Sequence, residues 1–423
     1  MSIASNPTRR LPDIGGATMR RFARTTPGLV VAVTLLLVAS CTVAAVVCVA
    51  GIHHRITVHD NVLRNSEPFA FAAQNLYGAL SETDATAASA FLSGGIQTPA
   101  MRDRYDQSLA AAASALADVA AGATDIDVRT AVAEITARLA TYTGLVESAR
   151  VNNMRNYPVG SAYMREASSL MQTELLPGAK RILDGGLATL TVEQASVGAF
   201  PAAGLVLLAA AIAEIAVASW ILLRRTNRQF NIGLVVAAGF VALAIASLVV
   251  STRLAADDID GGRAVGVERF EHLAAARILA QQARTEETLE LIARGDITAL
   301  EKKYTDHIHE LLTELEAGPQ PAADAVRQWT ASHDKQVRAY LGGDFATAMA
   351  QAIGTDPDAS PAQFRIVETG LRAEVERTRT AMRATVSSAG AALAWAPAAV
   401  VLSAGLAATA VIAGMWPRIK EFL

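Results

Sequence analysis

The sequence predicts an all-α membrane protein, with four transmembrane helices and two extracytoplasmic antiparallel four-helix bundles, a span-bundle-span unit used twice. Three observations predict it. Four apolar runs, at about 28–52, 201–223, 231–251 and 389–415, each come close to or exceed the ~20 residues that cross a bilayer as helix. Two long polar segments, 53–200 and 252–388, lie between the paired runs. Both carry apolar residues spaced by alternating threes and fours, the mark of helical bundle seams.

Arginine placement predicts the orientation, because basic residues in short loops resist translocation. Arg9, Arg10, Arg20, Arg21 and Arg24 precede the first span, Arg224, Arg225 and Arg228 fill the link 224–230, and Arg418 and Lys420 follow the fourth. The leader 1–27, the link and the tail 416–423 are therefore expected in the cytoplasm. This makes a multi-pass plasma-membrane protein with both termini inside. The exported part then carries about ten net negative charges, which the overall value of -3 hides. That balance argues against nucleic acid as a partner.

Within the first span, Val38-Ala39-Ser40-Cys41 resembles a lipoprotein cleavage box, but the apolar run continues to Ile52, which favours an uncleaved anchor. Cys41 and Cys48, the only cysteines, are too far apart along one helix to bridge. The exported segments must therefore be held by packing.

In the first exported segment four stripes predict four helices: Phe69 to Leu80, Tyr105 to Val119, Val128 to Val146 and Met164 to Ile182. Gly94-Gly95 with Pro99, Gly122 to Asp125, and Asn152 to Gly160 supply the turns. Pro177-Gly178 is expected to kink the last helix rather than end it. The second segment repeats the plan through Ala274 to Ile292, Tyr304 to Leu315, Val326 to Tyr340 and Phe364 to Met382, with Gly342 through Pro361 as its long break. The outer helices of each bundle are expected to run into the spans, either as a stalk able to carry a piston or rotation or as rigid spacers. Asp184-Gly185-Gly186 and Asp260-Gly261-Gly262 are expected to interrupt that stalk as hinges or joints.

No catalytic constellation emerges. The seven histidines form no His-Glu-x-x-His pattern, and His333, one turn after Trp329 on the seam, reads as a hydrogen-bonded core residue rather than a ligand. No metal, cofactor or enzymatic activity is expected. Met171, Met349 and Met382 read as core filler.

Glu214 lies inside the second span, where a carboxylate is costly. It reads as an intramembrane switch or an assembly contact, with Thr42, Ser247, Ser403 and Thr409 as candidate partners. Ala238, Ala242 and Ala246 suggest a close-packing ridge on the third span, and Pro397 a kink in the fourth. At the tip of the first bundle, Arg150, Asn152, Asn153, Arg155, Asn156 and Tyr157 form the candidate ligand- or partner-binding set, since arginines give bidentate contacts to acidic groups. Inside, Arg224, Arg225 and Arg228 are candidate partner contacts, although anionic lipid explains them as well.

The short cytoplasmic pieces are expected to hold no kinase, cyclase or coiled-coil output module, so a receptor of this design signals through another protein. The architecture, together with VNNMRNYPVGSAYMREASSLM at Val151 to Met171 and WTASHDKQVRAYLGGDFATA at Trp329 to Ala348, resembles the GlnX-type membrane proteins of actinobacteria. The resemblance implies a relay. An extracytoplasmic solute-binding lipoprotein would sense aspartate or glutamate, and a cytosolic Ser/Thr protein kinase of the protein kinase G type would respond. The alternatives left open are a chemoreceptor-like bundle that binds a small ligand directly and a structural or transport-accessory membrane protein. Self-association also stays open.

Overall fold

The structure, a computed structural model, describes residues 26–94, 99–198, 201–226, 231–263, 267–293, 295–316 and 320–420. Among these residues there is no strand; the chain is all-α. In chain order the helices are α1 Thr26–Asn61, α2 Glu67–Leu92, α3 Pro99–Gly122, α4 Ile126–Met154, α5 Val159–Leu170, α6 Leu176–Gly198, α7 Ala202–Thr226, α8 Ile232–Arg263, α9 Val267–Ala293, α10 Thr298–Glu314, α11 Gln320–Leu341, α12 Phe345–Ile353, α13 Ser360–Ala394 and α14 Ala396–Lys420. Two single π-turns, Val62–Ser66 and Met171–Leu175, join α1 to α2 and α5 to α6. The described residues divide into two compact units: one from those up to Thr57, within Gly198–Asp257 and from Ser388 onward, the other from those within Val58–Val197 and Asp258–Ser387.

Among the described residues four helices are long and apolar enough to cross a membrane, in α1, α7, α8 and α14, and they make up the first unit. Each buries one face at spacings of three and four: Leu37, Cys41, Ala44 and Cys48 on α1, Leu208, Ala211, Ile215 and Ala218 on α7, and Leu234, Ala237, Val241, Ala244 and Leu248 on α8. Such spacing is that of knobs-into-holes packing. The opposite faces expose Leu35, Val46, Val206 and Leu243, as helices surrounded by lipid require.

Three sequence expectations fail here. Ala242 and Ala246 are exposed, because the packed face of α8 is the neighbouring Ala237, Val241 and Ala244 stripe. A close span contact uses glycine instead: a Cβ on Gly233 would collide with the Cα of Gly414, and Asn231 beside it donates to the Gly414 carbonyl at 2.9 Å. Pro397 does not kink a helix, since α14 begins at Ala396 and proline is tolerated in a first turn, where its missing N–H has no partner to lose. Thr42, Ser247 and Thr409 each donate to a carbonyl three or four residues back on their own helix.

In the second unit, α2 to α6 form one four-helix bundle and α9 to α13 another. The first has the four helices its stripes predict, the fourth being α5 and α6 joined through the π-turn. That turn explains how the helix passes Pro177. Proline removes a donor and clashes with the carbonyl four residues back, and one widened turn relieves both. The π-turn Val62–Ser66 precedes Pro68 by the same two residues that separate Leu175 from Pro177. Asp184-Gly185-Gly186 does not interrupt α6, and α8 runs through Asp260-Gly261-Gly262. Gly186 serves packing: a Cβ there would meet the Phe69 ring at 3.1 Å, and one on Gly122 would meet it at 2.9 Å.

The second bundle departs from expectation at the break after α11, where Phe345–Ile353 forms an additional helix capped by Asp344, whose carboxylate accepts from the Thr347 backbone. Its Ala348 and Ala352 bury against Leu291 of α9.

The two bundles meet through their first helices, α2 and α9, which bury residues on nearly every face. Gln282 of α9 donates to the Tyr77 hydroxyl at 3.0 Å. Gly78 leaves room for the Arg277 guanidinium, 3.1 Å from where its Cβ would stand. Arg277 in turn is buried against Glu368 of α13, at 2.8 Å. A second tie joins buried Glu67 of α2 to Arg379 and Arg383 of α13, with the Arg379 guanidinium 3.8 Å above the Phe71 ring.

Candidate functional site

Each bundle seam contains a fully buried carboxylate at a matching place. On α2 the apolar series Ala73, Leu76, Leu80 continues to Asp84, and on α9 the series Leu273, Ala276, Ala280, Ala283 continues to Glu287. Asp84 accepts from the Tyr142 hydroxyl of α4 at 3.2 Å and from Ser168 of α5 at 2.9 Å. Glu287 accepts from the Trp329 indole N–H of α11 at 3.2 Å and from Ser360 of α13. A carboxylate on the first helix, an aromatic donor on the third and a serine on the fourth recur in both bundles. The pattern supports duplication where sequence identity is weak.

The environments differ in charge. Burial pushes the Asp84 carboxyl up to about 6 against the hydrogen bonds from Ser168, Tyr142 and Gln172. Burial also acts on Glu287, but Arg284 at 2.6 Å and His333 outweigh it and hold that carboxyl well below the usual range. The Arg284 guanidinium also donates to the Ala352 carbonyl at 3.1 Å, so α12 completes this network.

At the end of the first bundle where α4 turns into α5, starting one turn beyond Asp84 on α2, a cavity of about 330 Å³ opens between α2, α3, α4 and α5. Ala87, Phe91, Val146 and Met164 form its apolar floor, and Arg102, Asp106, Glu147 and Arg150 its polar rim, with Tyr105. Burial, then Glu147 and Asp106, push the Tyr105 hydroxyl up to about 12, so it stays a donor at neutral pH. Two guanidinium groups, two carboxylates and a phenol above an apolar floor suit a small zwitterion. The guanidinium groups fork a carboxylate, the acids take an ammonium group, and the floor takes a short side chain.

The predicted tip residues separate into two groups. Arg150 lines the cavity and pairs with Glu147 at 2.7 Å. Asn152 donates to the Ser148 carbonyl at 2.8 Å and Asn153 to the Phe91 carbonyl at 2.7 Å, so both hold the turn together. Arg155, Asn156 and Tyr157 are exposed. Asn156 has φ of 56°, a left-handed conformation that asparagine tolerates better than most residues. Glu214 is half-buried on α7, and its Oε2 has no hydrogen-bond partner among the described residues. Arg224 is exposed at the end of α7 with its guanidinium 4.1 Å from the Trp220 ring centre. Arg225 falls in the same helix, and Arg228 lies outside the described residues.

Asp84, Arg102, Tyr105, Asp106 and Glu287 are absent from the sequence-derived set. Asp84 and Glu287 had a signal: each puts a charge where the seam calls for an apolar residue. Arg102 and Asp106 had none, since a charge on an outer helix face usually means solvent.

No curated protein and no solved structure matches the chain. Residues 58–195, which comprise the end of α1 and the first bundle, match the family described as actinobacterial sensor domain, and with the four membrane-length helices this supports an actinobacterial membrane sensor.

Proposed function

We propose that this chain is a noncatalytic transmembrane sensor or adaptor. It carries an extracytoplasmic aspartate or glutamate signal from a solute-binding lipoprotein to a cytosolic Ser/Thr protein kinase of the protein kinase G type. The observation that carries the reading is the sensor-domain match over 58–195 in a chain with four membrane-length helices. The GlnX-type resemblance at Val151 to Met171 and Trp329 to Ala348 supplies the partners. Both inter-span segments lie outside in this reading, and both termini inside, as the arginines predict. The exposed turn Arg155, Asn156 and Tyr157 meets the lipoprotein, and the basic link from Arg224 meets the kinase or anionic lipid.

Crosslinking of the tagged full-length protein in its native membrane tests this relay, with captured proteins identified by mass spectrometry. The expected result is a solute-binding lipoprotein on one side and a Ser/Thr kinase on the other. Capture of the lipoprotein should fall in Arg155→Ala at unchanged membrane abundance. Recovery of neither partner overturns the relay.

The cavity favours a second reading, direct binding of a small zwitterion by the first bundle. Under this reading free aspartate or glutamate raises the melting temperature of the purified full-length protein, and Arg102→Ala abolishes the rise. Under the relay reading only the lipoprotein does so.

A further inference from the structure

The second bundle contains a cluster that neither the sensor-domain match nor the proposed relay uses. Glu290 of α9, Glu301 of α10 and His333 of α11 bring one imidazole nitrogen and two carboxylate oxygens within 4.8 Å of one another. His333 Nε2 lies 2.9 Å from Glu301 Oε2 and 4.0 Å from Glu290 Oε1. We propose that these three residues bind one divalent first-row transition-metal ion, of which Zn2+ is the representative.

Four features of the geometry support the assignment. Ligands about 2.0–2.2 Å from a tetrahedral ion stand about 3.3–3.6 Å apart, so the observed separations need adjustments of only a few tenths of an ångström for the first two pairs of atoms. The Glu290 side chain is 1 % exposed, and its Oε1, the atom facing the imidazole, has no hydrogen-bond partner among the described residues. A buried carboxylate oxygen left open in this way is costly unless something takes it. The remaining imidazole nitrogen is committed: His333 Nδ1 lies 3.4 Å from Glu287 Oε1, which holds the ring with Nε2 toward the two glutamates, where an incoming ion displaces the Nε2 proton to solvent. Glu287 is itself held by Arg284, Trp329 and Ser360. This carboxylate-histidine-metal order is how metal-binding imidazoles are oriented.

Access and selectivity follow from the same residues. Tyr304 stacks on the imidazole at 3.7 Å and closes one face, while the Glu301 side chain is 34 % exposed and offers the entry path. One nitrogen and two carboxylates match Zn2+ and its first-row neighbours better than Ca2+ or Mg2+, which take oxygen alone. Three protein ligands leave a fourth position for water on the Glu301 side. Because the ligands come from α9, α10 and α11, an ion here ties three helices of the bundle together.

The test uses full-length protein in detergent, stripped with a chelator and titrated with Zn2+ and with Co2+. The account expects one equivalent of Zn2+ per chain, a visible Co2+ absorption band, and a higher melting temperature with Zn2+. Glu290→Gln and Glu301→Gln should each weaken Zn2+ by about 10-fold or more, the size of even an outer-sphere loss. His272→Gln, which removes an exposed imidazole from another His-Glu pair, should change nothing. Glu301→Gln sits at the surface and keeps the test valid if Glu290→Gln fails to fold. No Co2+ band, or Zn2+ binding that is the same in wild type and Glu301→Gln, overturns the site and leaves the cluster a hydrogen-bonded core.

Discussion

Asp84 and Glu287 occupy equivalent places in the two bundles, yet they are stabilised differently. Both are buried carboxylates on a first helix, and both accept from an aromatic residue and a serine. Glu287 has Arg284 and His333 beside it, whereas Asp84 has only neutral donors. The chain around them differs in the same sense. In the second bundle the connection between the third and fourth helices includes α12, which buries against α9 and contacts Arg284. In the first bundle that connection is a short exposed turn beside a cavity. In the second bundle the seam carboxylate is matched in charge and the additional helix covers its network; in the first it has neutral donors alone, and a cavity opens at the same end of the bundle. Unbalanced, accessible polar groups are where a ligand or partner gains most by binding.

If this contrast is right, the largest effect belongs to Arg284→Met. It leaves Glu287 charged and buried without its arginine and should cost about 3–5 kcal/mol. The measure is thermal unfolding of the full-length protein in lipid nanodiscs. A melting temperature within a degree or two of wild type would break the comparison.

Asp84 gives the next effect, with the opposite sign. Its carboxyl titrates at about 6 folded against 3.8 for an exposed aspartate, so the folded state binds the proton more tightly. Its contribution to stability is therefore full below about pH 4 and is lost as pH rises through 6, by at most about 3 kcal/mol. Asp84→Asn should remove that slope and raise the melting temperature at pH 7.5. Persistence of the slope in the variant would assign it to another group. Glu287, held low, contributes stability that is present above about pH 4.5 and lost only as pH falls well below it.

Gly160→Ala comes third. A Cβ there would stand 3.1 Å from both the Ala149 carbonyl oxygen and the Asn153 nitrogen, and backbone cannot yield as a side chain does. A loss of roughly 1–2 kcal/mol, read in the same unfolding experiment, would show that the α4–α5 turn is held tightly. Arg150→Ala should be smallest. Its pair with Glu147 is partly exposed and worth less than about 1 kcal/mol, so stability should hardly move while any ligand of the cavity is lost.

Much of this was legible in the sequence. Apolar run length located the four spans, and spacings of three and four located the bundle helices, because burial of one face imposes that period. Other features depended on tertiary detail. The helix α12 is nine residues bracketed by Gly342-Gly343 and Pro361, too short for its period to stand out against its breakers. The Ala238, Ala242, Ala246 ridge has the right spacing but the wrong phase, since on an all-apolar helix composition does not say which face meets protein. The cavity arises where four helices fail to close, and no single stretch of sequence records that. Arg150 was singled out for its charge, and the structure adds its partner Glu147 and the opposing Arg102.

The central proposal is that the exposed turn of the first bundle, and not the matching connection of the second, meets the solute-binding lipoprotein. Photocrosslinkers placed singly at Tyr157, on the exposed turn of the first bundle, and at Asp344, in the matching connection of the second, test it most directly in the native membrane. The account predicts that the Tyr157 probe captures a solute-binding lipoprotein and the Asp344 probe does not. Equal capture at both positions, or capture at Asp344 alone, would contradict it.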